Sequence, residues 1–274
     1  MTQRVGSQFA VTLFPTPVFN TPDLARCFGG EDGNTLPLDT QGLMRTVETV
    51  LFPRAKVELL ERIAQSSIWR IRTDEYAYDG NHYIDERFIQ FADAVPPNRT
   101  FQVPSLPKII QELEKLEGTR YIWGGNWPFG IDLVPQLFPS RTPLNRLDPL
   151  IQDTWKFKGV DCTGLIHYVT NGWTPRNTSS LVNFGNPVLI EGLSIEKILD
   201  KVQDLDLIVW EGHAVSVLGP QTSIESKRGW GVIKYDLFER LSHIMQKRRA
   251  VDDWEKSEGL RFVVRRWHPD NIIF

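Results

Sequence analysis

Cys162 is the residue of this chain best suited to nucleophilic chemistry. It lies in the segment 161–165 (DCTGL), where a loop is predicted to become a helix with Asp161 as its N-cap. A cysteine in the first turn of a helix is close to unpaired backbone N–H groups and to the positive end of the helix dipole, which lower a thiol pKa. The thiolate so favoured is the form that attacks a carbonyl. The alternative is that Cys162 is a small buried hydrophobic residue.

His213 and Glu225 could supply the base and its orienting group. His213 opens a predicted strand, and Glu225 follows the turn at Gly219 and Pro220. A hairpin centred on Gly219 would place the two residues directly opposite each other on one face, with Cβ atoms about 4.5–5.5 Å apart. The carboxylate could then bind one imidazole nitrogen and leave the other free to accept a thiol proton. The alternative is a surface ion pair worth less than about 1 kcal/mol.

The other histidines and the acidic residues form no metal-binding pattern. His167 follows Cys162 at a spacing of about 140° around a helix, so it is poorly placed to face the thiol. The remaining histidines lie in polar contexts and are His82, His243 and His268. Because the sequence has no HExxH motif and no histidine pair at ligand spacing, we predict no metal and no cofactor.

The first hundred residues are predicted to form strands and loops. Apolar and charged residues alternate around Val57 and Leu59, and again around Trp69 and Ile71, the period of half-buried strands. A third short strand is predicted over 83–88, and several short strands joined by turns indicate a small barrel. Four prolines between 96 and 107 then mark a domain boundary.

Helices and strands mix in the rest of the chain. A helix is predicted over 106–117, a long ordered loop over 126–158, a helix from Cys162 to about residue 170, and strands over 205–210 and 213–218. The fold class is therefore α+β. We divide the chain into an N-terminal barrel with its extension at 1–100, a linker and helix at 101–117, and a second domain at 118–274.

Composition excludes several classes of protein. The 274 residues include 31 Lys and Arg against 34 Asp and Glu, a net charge of −3, so we expect no nucleic-acid partner. Apolar runs are far shorter than the roughly 18 residues of a membrane span, so we expect no membrane partner. The two cysteines form no disulfide framework. With no signal peptide visible, we expect a cytoplasmic protein, or a periplasmic or secreted one if the chain is a processed form. The oligomeric state is open.

Three segments in order resemble the motifs of the NlpC/p60 family of papain-like cysteine peptidases. They are 121–125 (YIWGG), 161–165 (DCTGL) and 212–219 (GHAVSVLG), where the family usually has YxWGG, DCSGL and HVxxYLG. The resemblance covers about residues 118–226. It departs from the family at Thr163, usually Ser, at Glu225, usually His, and in an insertion over 126–160.

The resemblance implies a papain-like catalytic domain with defined roles. Cys162 would be the nucleophile, His213 the general base and Glu225 the orienting residue. Tyr121 would lie near the thiol and help bind the oxyanion, together with the backbone N–H of Cys162.

Residues 44–90 also resemble, more weakly, a bacterial SH3-like domain. An SH3-like barrel before an NlpC/p60 domain is typical of enzymes that cut γ-D-glutamyl to diamino acid bonds in peptidoglycan stem peptides. In such enzymes the residue at Asp161 binds the free amine of an N-terminal L-alanine, helped by the barrel. The residues that would make the barrel's contribution here are Glu75, Tyr76 and Tyr78.

The sequence thus predicts a cysteine peptidase that hydrolyses peptidoglycan-derived peptides through a thioester, in cell-wall peptide recycling. Two alternatives stay open. One is an amidase or acyltransferase of the same fold acting on another amide or ester, since a fold does not fix a substrate. The other is a cell-wall peptide binding module that has lost turnover.

Overall fold

The computed structural model describes residues 8–271, so the first seven residues of the segment searched for a signal peptide lie outside it. The strands of the first hundred residues are β1 (Gln8–Thr12), β2 (Thr16–Phe19), β3 (Val47–Leu51), β4 (Lys56–Arg62), β5 (Ile68–Arg72), β6 (His82–Asp85) and β7 (Ile89–Ala92). The elements that follow are α1 (Leu106–Lys115), β8 (Asn126–Trp127), α2 (Leu133–Leu137), α3 (Pro149–Trp155) and β9 (Gly159–Val160).

The last part of the chain is the richest in regular structure. Its elements are α4 (Cys162–Val169), α5 (Thr178–Leu181), β10 (Asn186–Val188), α6 (Ile195–Leu199), β11 (Leu207–Trp210), β12 (His213–Val217), β13 (Thr222–Lys227), β14 (Gly231–Asp236), α7 (Leu237–Met245), β15 (Arg249–Ala250) and β16 (Arg261–Arg266). With 23% helix and 27% strand, the content is that of an α+β protein, as predicted. Within residues 8–271, no helix is both long and apolar enough to cross a membrane.

The contacts divide the chain into two compact units. The first contains residues 8–100 and 122–159, and the second contains residues 101–121 and 160–271. The predicted domain limits at 1–100, 101–117 and 118–274 stay a prediction. In the contacts, residues 122–159 group with the first unit.

The first unit is built on a seven-stranded antiparallel sheet in the order β3-β2-β6-β5-β4-β1-β7. The alternating residues Val57 and Leu59 are buried on β4, which pairs with β5, as their period predicted. The predicted third strand over 83–88 stops early, at Asp85. There the Asp85 carboxylate caps a 3-10 turn, Glu86–Phe88, by accepting from the Arg87 backbone N–H. The SH3-like barrel stays a prediction.

The segment 126–158 contains helices, so its prediction as a loop was wrong in this respect. Helix α3 begins at the capping residue Asp148 followed by Pro149, a favoured N-terminal pair. With seven residues, α3 is too short for a clear helical period in the sequence. Its last residue, Trp155, is fully buried with Phe28 in the core of the first unit.

The second unit carries a sheet in the order β10-β16-β11-β12-β13-β14, with β15 parallel to β16. Successive residues of β11 point to opposite faces, and both faces are buried. Leu207 and Val209 pack in one cluster with Leu113 of α1 and Leu165 of α4. The opposite face packs in a second cluster with residues of α6 and α7. Helices therefore cover both faces of the sheet and hold α4 against β12 and β13.

Candidate active site

The loop-to-helix transition predicted at Cys162 is present, and α4 begins at this residue. The Asp161 carboxylate caps the helix by accepting from the backbone N–H groups of Thr163 (3.2 Å) and Gly164 (2.7 Å). The helix ends before Asn171, which has a left-handed backbone with φ of 52°. Cys162 is half-buried, and its Sγ lies 3.9 Å from the carbonyl oxygen of Gly212.

The pKa of Cys162 is not lowered, contrary to the expectation from its position in the first turn. Burial raises the pKa of the thiol to about 12, and the negative charge of Asp161 raises it further. The Arg176 guanidinium and the backbone N–H groups of Ala214 and Thr163 act in the opposite direction but are outweighed. The sequence argument counted the helix dipole and left out burial, the larger cause, and the charge of Asp161 next to the sulfur. Burial and the negative charge of Asp161 therefore both favour the neutral thiol in the free protein.

Asp161 forms a buried ion pair with Arg176, which the sequence did not predict. The guanidinium donates to both carboxylate oxygens, at 2.9 and 2.6 Å, and the two side chains are 5% and 9% exposed for Arg176 and Asp161. With the N–H groups of Thr163 and Gly164 and the Thr163 hydroxyl, the carboxylate accepts five hydrogen bonds. The geometry thus does not support the predicted role of Asp161 as the site for a substrate amine.

His213 and Glu225 are in contact, as their spacing predicted. His213 Nε2 is hydrogen-bonded to Glu225 Oε2, and the Glu225 side chain is fully buried. Nδ1 is then the ring nitrogen left to exchange a proton with a neighbour. The Cys162 thiol lies against the backbone on either side of His213, near the Gly212 carbonyl and the Ala214 N–H. The Cys162 thiol therefore lies beside the start of β12, the strand that carries His213.

The hairpin register that was predicted for this contact was wrong by two residues. Val217 pairs with Ser223, and Leu218 N–H donates to the carbonyl of Thr222, so the loop has three residues and is centred on Pro220. Gly219 takes the left-handed conformation this loop needs, with φ of 91°. His213 and Glu225 are thus diagonal neighbours. A shift of two residues keeps both on one face, and their long side chains still meet.

Arg240 of α7 is the second buried ion-pair partner that the sequence analysis missed. Its Nε lies 2.5 Å from Glu225 Oε1 and its Nη2 lies 2.9 Å from Oε2. Burial alone would raise the pKa of Glu225, but hydrogen bonds and charge from His213 and Arg240 outweigh it and the pKa is lowered. A buried carboxylate implies a cationic partner. The sequence has 31 Lys and Arg, however, and no local pattern selects this one.

Tyr121 is half-buried and is the last residue of the segment 101–121 of the second unit. The carbonyl of the preceding residue, Arg120, accepts from Val160 N–H at 3.1 Å, two residues before Cys162. Its predicted contact with the oxyanion stays a prediction.

In the first unit, Trp123 lies under the Arg45 guanidinium at 3.9 Å. Gly124 has a φ of 70°, and a Cβ there would come within 2.8 Å of Val47, which explains the glycine.

The three barrel residues proposed for amine binding have different surroundings within the first unit. Glu75 is paired with Arg99 at 3.1 Å, and burial raises the pKa of Glu75 despite that partner. Tyr76 is buried and donates to Glu48 at 2.8 Å, whereas Tyr78 is 54% exposed. Their predicted role in binding an amine stays a prediction.

His82, His167, His268 and Cys27 are all buried. His167 Nδ1 contacts the Thr174 carbonyl at 2.7 Å, and His268 Nε2 contacts the Pro104 carbonyl at 3.0 Å. Burial lowers the pKa of His82 and raises that of Cys27. Across the described part of the chain, no group of three or more His, Cys, Asp or Glu side chains could hold a metal ion.

The described geometry defines an α+β protein with a cysteine, a histidine and a glutamate assembled at one site. Neither a family model nor a curated protein matches the sequence. Solved structures that match include an NlpC/p60 family protein from Bacillus cereus ATCC 10987, at 15% identity over 96% of this chain with a TM-score of 0.37. This chain spans 64% of that protein's length.

Two other matching structures carry the same family name or a related one. NlpC1 from Trichomonas vaginalis is 13% identical over 97% of this chain and 95% of its own, with a TM-score of 0.37. The NlpC/p60 domain of the peptidoglycan hydrolase SagA is 21% identical over 49% of this chain and 91% of its own, with a TM-score of 0.28.

Proposed function

We propose that this protein is a cysteine peptidase of the NlpC/p60 type. The observation that supports this best is the arrangement around His213. Its Nε2 is hydrogen-bonded to the buried Glu225, and the Cys162 thiol lies against the carbonyl of Gly212, the residue before His213. A surface ion pair, the alternative for His213 and Glu225, would not have a fully buried carboxylate.

The neutral thiol determines how the reaction would begin. Because the pKa of Cys162 is raised to about 12, the proton leaves during attack rather than before it. His213 Nδ1 accepts the thiol proton as Sγ bonds to the substrate carbonyl carbon, and the ionised Glu225 stabilises the imidazolium that forms. This is general-base catalysis by His213.

The oxyanion formed by this attack needs hydrogen-bond donors. The Asp161 cap uses the N–H groups of Thr163 and Gly164 and not that of Cys162, so the Cys162 N–H is our candidate donor, with Tyr121 as the second. When the C–N bond breaks, the imidazolium gives its proton to the leaving amine and a thioester remains. Water, deprotonated by His213, then hydrolyses the thioester and restores the thiol.

The substrate class that we propose is a peptidoglycan stem peptide, cut between γ-D-glutamate and the diamino acid. The support is the resemblance of the three motifs, at 121–125, 161–165 and 212–219. Location in the cytoplasm and a role in peptide recycling are part of the same proposal. Because Asp161 is paired with Arg176, we no longer expect Asp161 to select a free N-terminal amine.

Digestion of defined stem peptides, read by mass spectrometry, tests this function. We expect the wild type to release the diamino acid fragment, Cys162→Ala to release none, and Cys27→Ala to match the wild type. Cleavage by Cys162→Ala at the wild-type rate would exclude the peptidase. Each peptide is offered with a free and with an N-acetylated terminus. Similar cleavage rates on both are expected. A cleavage rate lower by about 10²-fold or more on the acetylated peptide would show that the protein recognises the free amine.

A further inference from the structure

Glu225 is the most deeply buried charge of the site, and two side chains bind it from different elements. His213 reaches it from β12 and Arg240 from α7. The other charged groups nearby are Lys227, two residues along β13 and bonded to Tyr235 of β14, and Arg248, whose guanidinium lies over Trp210. Glu225 therefore depends on Arg240 for its second set of hydrogen bonds.

Helix α7 fixes where the Arg240 guanidinium lies. Asp236 caps the helix by accepting from the Glu239 backbone N–H at 2.9 Å, and Leu237 and Leu241 are fully buried in the core of the second unit. Arg240 itself is 12% exposed. Its Nε and Nη2 bind one carboxylate oxygen each, a bidentate arrangement that sets the plane of the carboxylate as well as its charge. A lysine, with a single ammonium, could supply the charge but not the plane.

We propose that Arg240 is a positioning residue of this active site, which holds Glu225 ionised and oriented so that His213 presents Nδ1 to Cys162. The inference rests on the proposed function. Arg240 touches no reacting atom. Its guanidinium also lies over the rings of Trp210, at 5.7 Å, and Tyr235, at 5.8 Å, but the hydrogen bonds described for it go to Glu225. The role is not implied by the triad, because a buried carboxylate could instead be satisfied by the imidazole and backbone N–H groups.

Loss of Arg240 has a specific chemical consequence. The hydrogen bonds and the positive charge of Arg240, which both lower the pKa of Glu225, would be lost. Because the burial that raises this pKa would remain, the carboxyl group would hold a proton at higher pH. A protonated Glu225 donates its hydrogen bond to His213 Nε2. That leaves the imidazole hydrogen on Nδ1, and this nitrogen can then no longer accept the thiol proton.

The variants Arg240→Met and Arg240→Lys test this role, with Arg266→Met as the matched control. Arg266 also binds a buried carboxylate through Nε and Nη2, that of Asp206, at 3.0 and 2.7 Å. We expect Arg240→Met to lower kcat about 100-fold with KM changed less than about threefold, and to move the acid limb of the kcat profile up by about one pH unit. Arg240→Lys should fall in between, and Arg266→Met should lower the Tm but leave the pH profile unchanged.

Two measurements do not need a cleaved substrate. One is a ¹³C NMR titration of the Glu225 carboxyl group, and the other is the alkylation rate of Cys162 at pH 7. If no peptide is cut by the wild type, the proposed function fails, yet a raised Glu225 pKa and slower alkylation in Arg240→Met would still support the positioning role. An unchanged titration and alkylation rate in Arg240→Met would overturn it, whatever the wild type cuts.

A double variant guards against loss of folding. Glu225→Gln combined with Arg240→Met removes both charges together, so neither is left unpaired in the interior. If Arg240 acts only through Glu225, the double variant should alkylate at the rate of Glu225→Gln alone. A further loss in the double variant would overturn the proposal, and so would an equal kcat loss in Arg266→Met.

Discussion

At the scale of single residues, the site depends on charges that are paired before substrate arrives. Asp161 and Glu225 are both buried carboxylates, and each is held by an arginine, Arg176 and Arg240 respectively. Only the pairing of His213 with Glu225 follows from spacing in the sequence. Each arginine lies 15 residues after its carboxylate, and the sequence contains no period or motif that joins the two.

The raised pKa of Cys162 predicts the pH dependence of its alkylation. Because the thiolate is the reactive form and burial raises the pKa of Cys162 to about 12, the rate should rise about tenfold per pH unit from pH 8 to 10.5 without a plateau. Iodoacetamide labelling of Cys27→Ala, read by intact mass, measures Cys162 alone. A plateau below pH 8 would mean that a thiolate and imidazolium pair exists in the free protein.

Replacement of Arg176 should destabilise the second unit and suppress thiol reactivity. Arg176→Met leaves the buried Asp161 carboxylate without its cation, which costs about 3–5 kcal/mol of unfolding free energy. The same charge would then raise the Cys162 pKa further and slow alkylation. Urea unfolding and alkylation measure the two effects. Asp161→Asn with Arg176→Met should recover most of the stability, and a double variant as unstable as the single one would contradict the ion-pair explanation.

The Glu225 position should accept few residues because Arg240 faces it. Glu225→Gln keeps an acceptor but loses the charge that stabilises the imidazolium, so kcat should fall about 100-fold with KM nearly unchanged. Glu225→His should be worse than Glu225→Gln because its ring cannot accept both hydrogen bonds of the guanidinium. Steady-state kinetics rank the series. Activity of Glu225→His near the wild type would show that Arg240 can turn away.

At the scale of the elements, the periodicity of apolar residues and the helix-capping residue predicted strands and a helix that are present, whereas the predicted hairpin register was wrong. The strands around Val57 and Trp69, the helix beginning at Cys162 and the strand beginning at His213 are present because alternation and an N-cap are local signals. The hairpin register was wrong because it depends on the loop, where Gly219 and Pro220 are compatible with more than one turn. His213 and Glu225 still meet, because a two-residue shift preserves the face of the strand.

Two serines of β13 give an internal comparison at this scale. Both are fully buried, and the Ser226 hydroxyl donates to the Val160 carbonyl at 2.7 Å, whereas the Ser223 hydroxyl has no hydrogen-bond partner within residues 8–271. Ser226→Ala should therefore cost about 1 kcal/mol of unfolding free energy, and Ser223→Ala should cost nothing or stabilise the protein. Urea unfolding of the two variants measures the difference. Equal losses would contradict this account of the strand.

At the scale of the whole chain, the assignment of residues 122–159 to the first unit is the feature that local patterns could not predict. The segment follows α1 of the second unit and precedes Cys162, and its elements are too short for a clear period. The burial of aromatic side chains groups this segment with the first unit. The Phe28 ring stacks on Phe138 at 4.8 Å and also packs against Trp155, which lies at 5.7 Å.

Trp155 should therefore be among the costliest positions of the first unit. Trp155→Ala would open a large cavity and remove the hydrogen bond from its indole N–H to the Phe138 carbonyl, with a loss of about 3–5 kcal/mol of unfolding free energy. Phe129→Ala is the matched control, because Phe129 belongs to the same segment but is 67% exposed, and it should cost about 1 kcal/mol or less. Urea unfolding measured by tryptophan fluorescence and by circular dichroism compares the two. If both variants lost the same small amount, the segment would be a surface loop after all, and the aromatic packing would not be what holds it in the first unit.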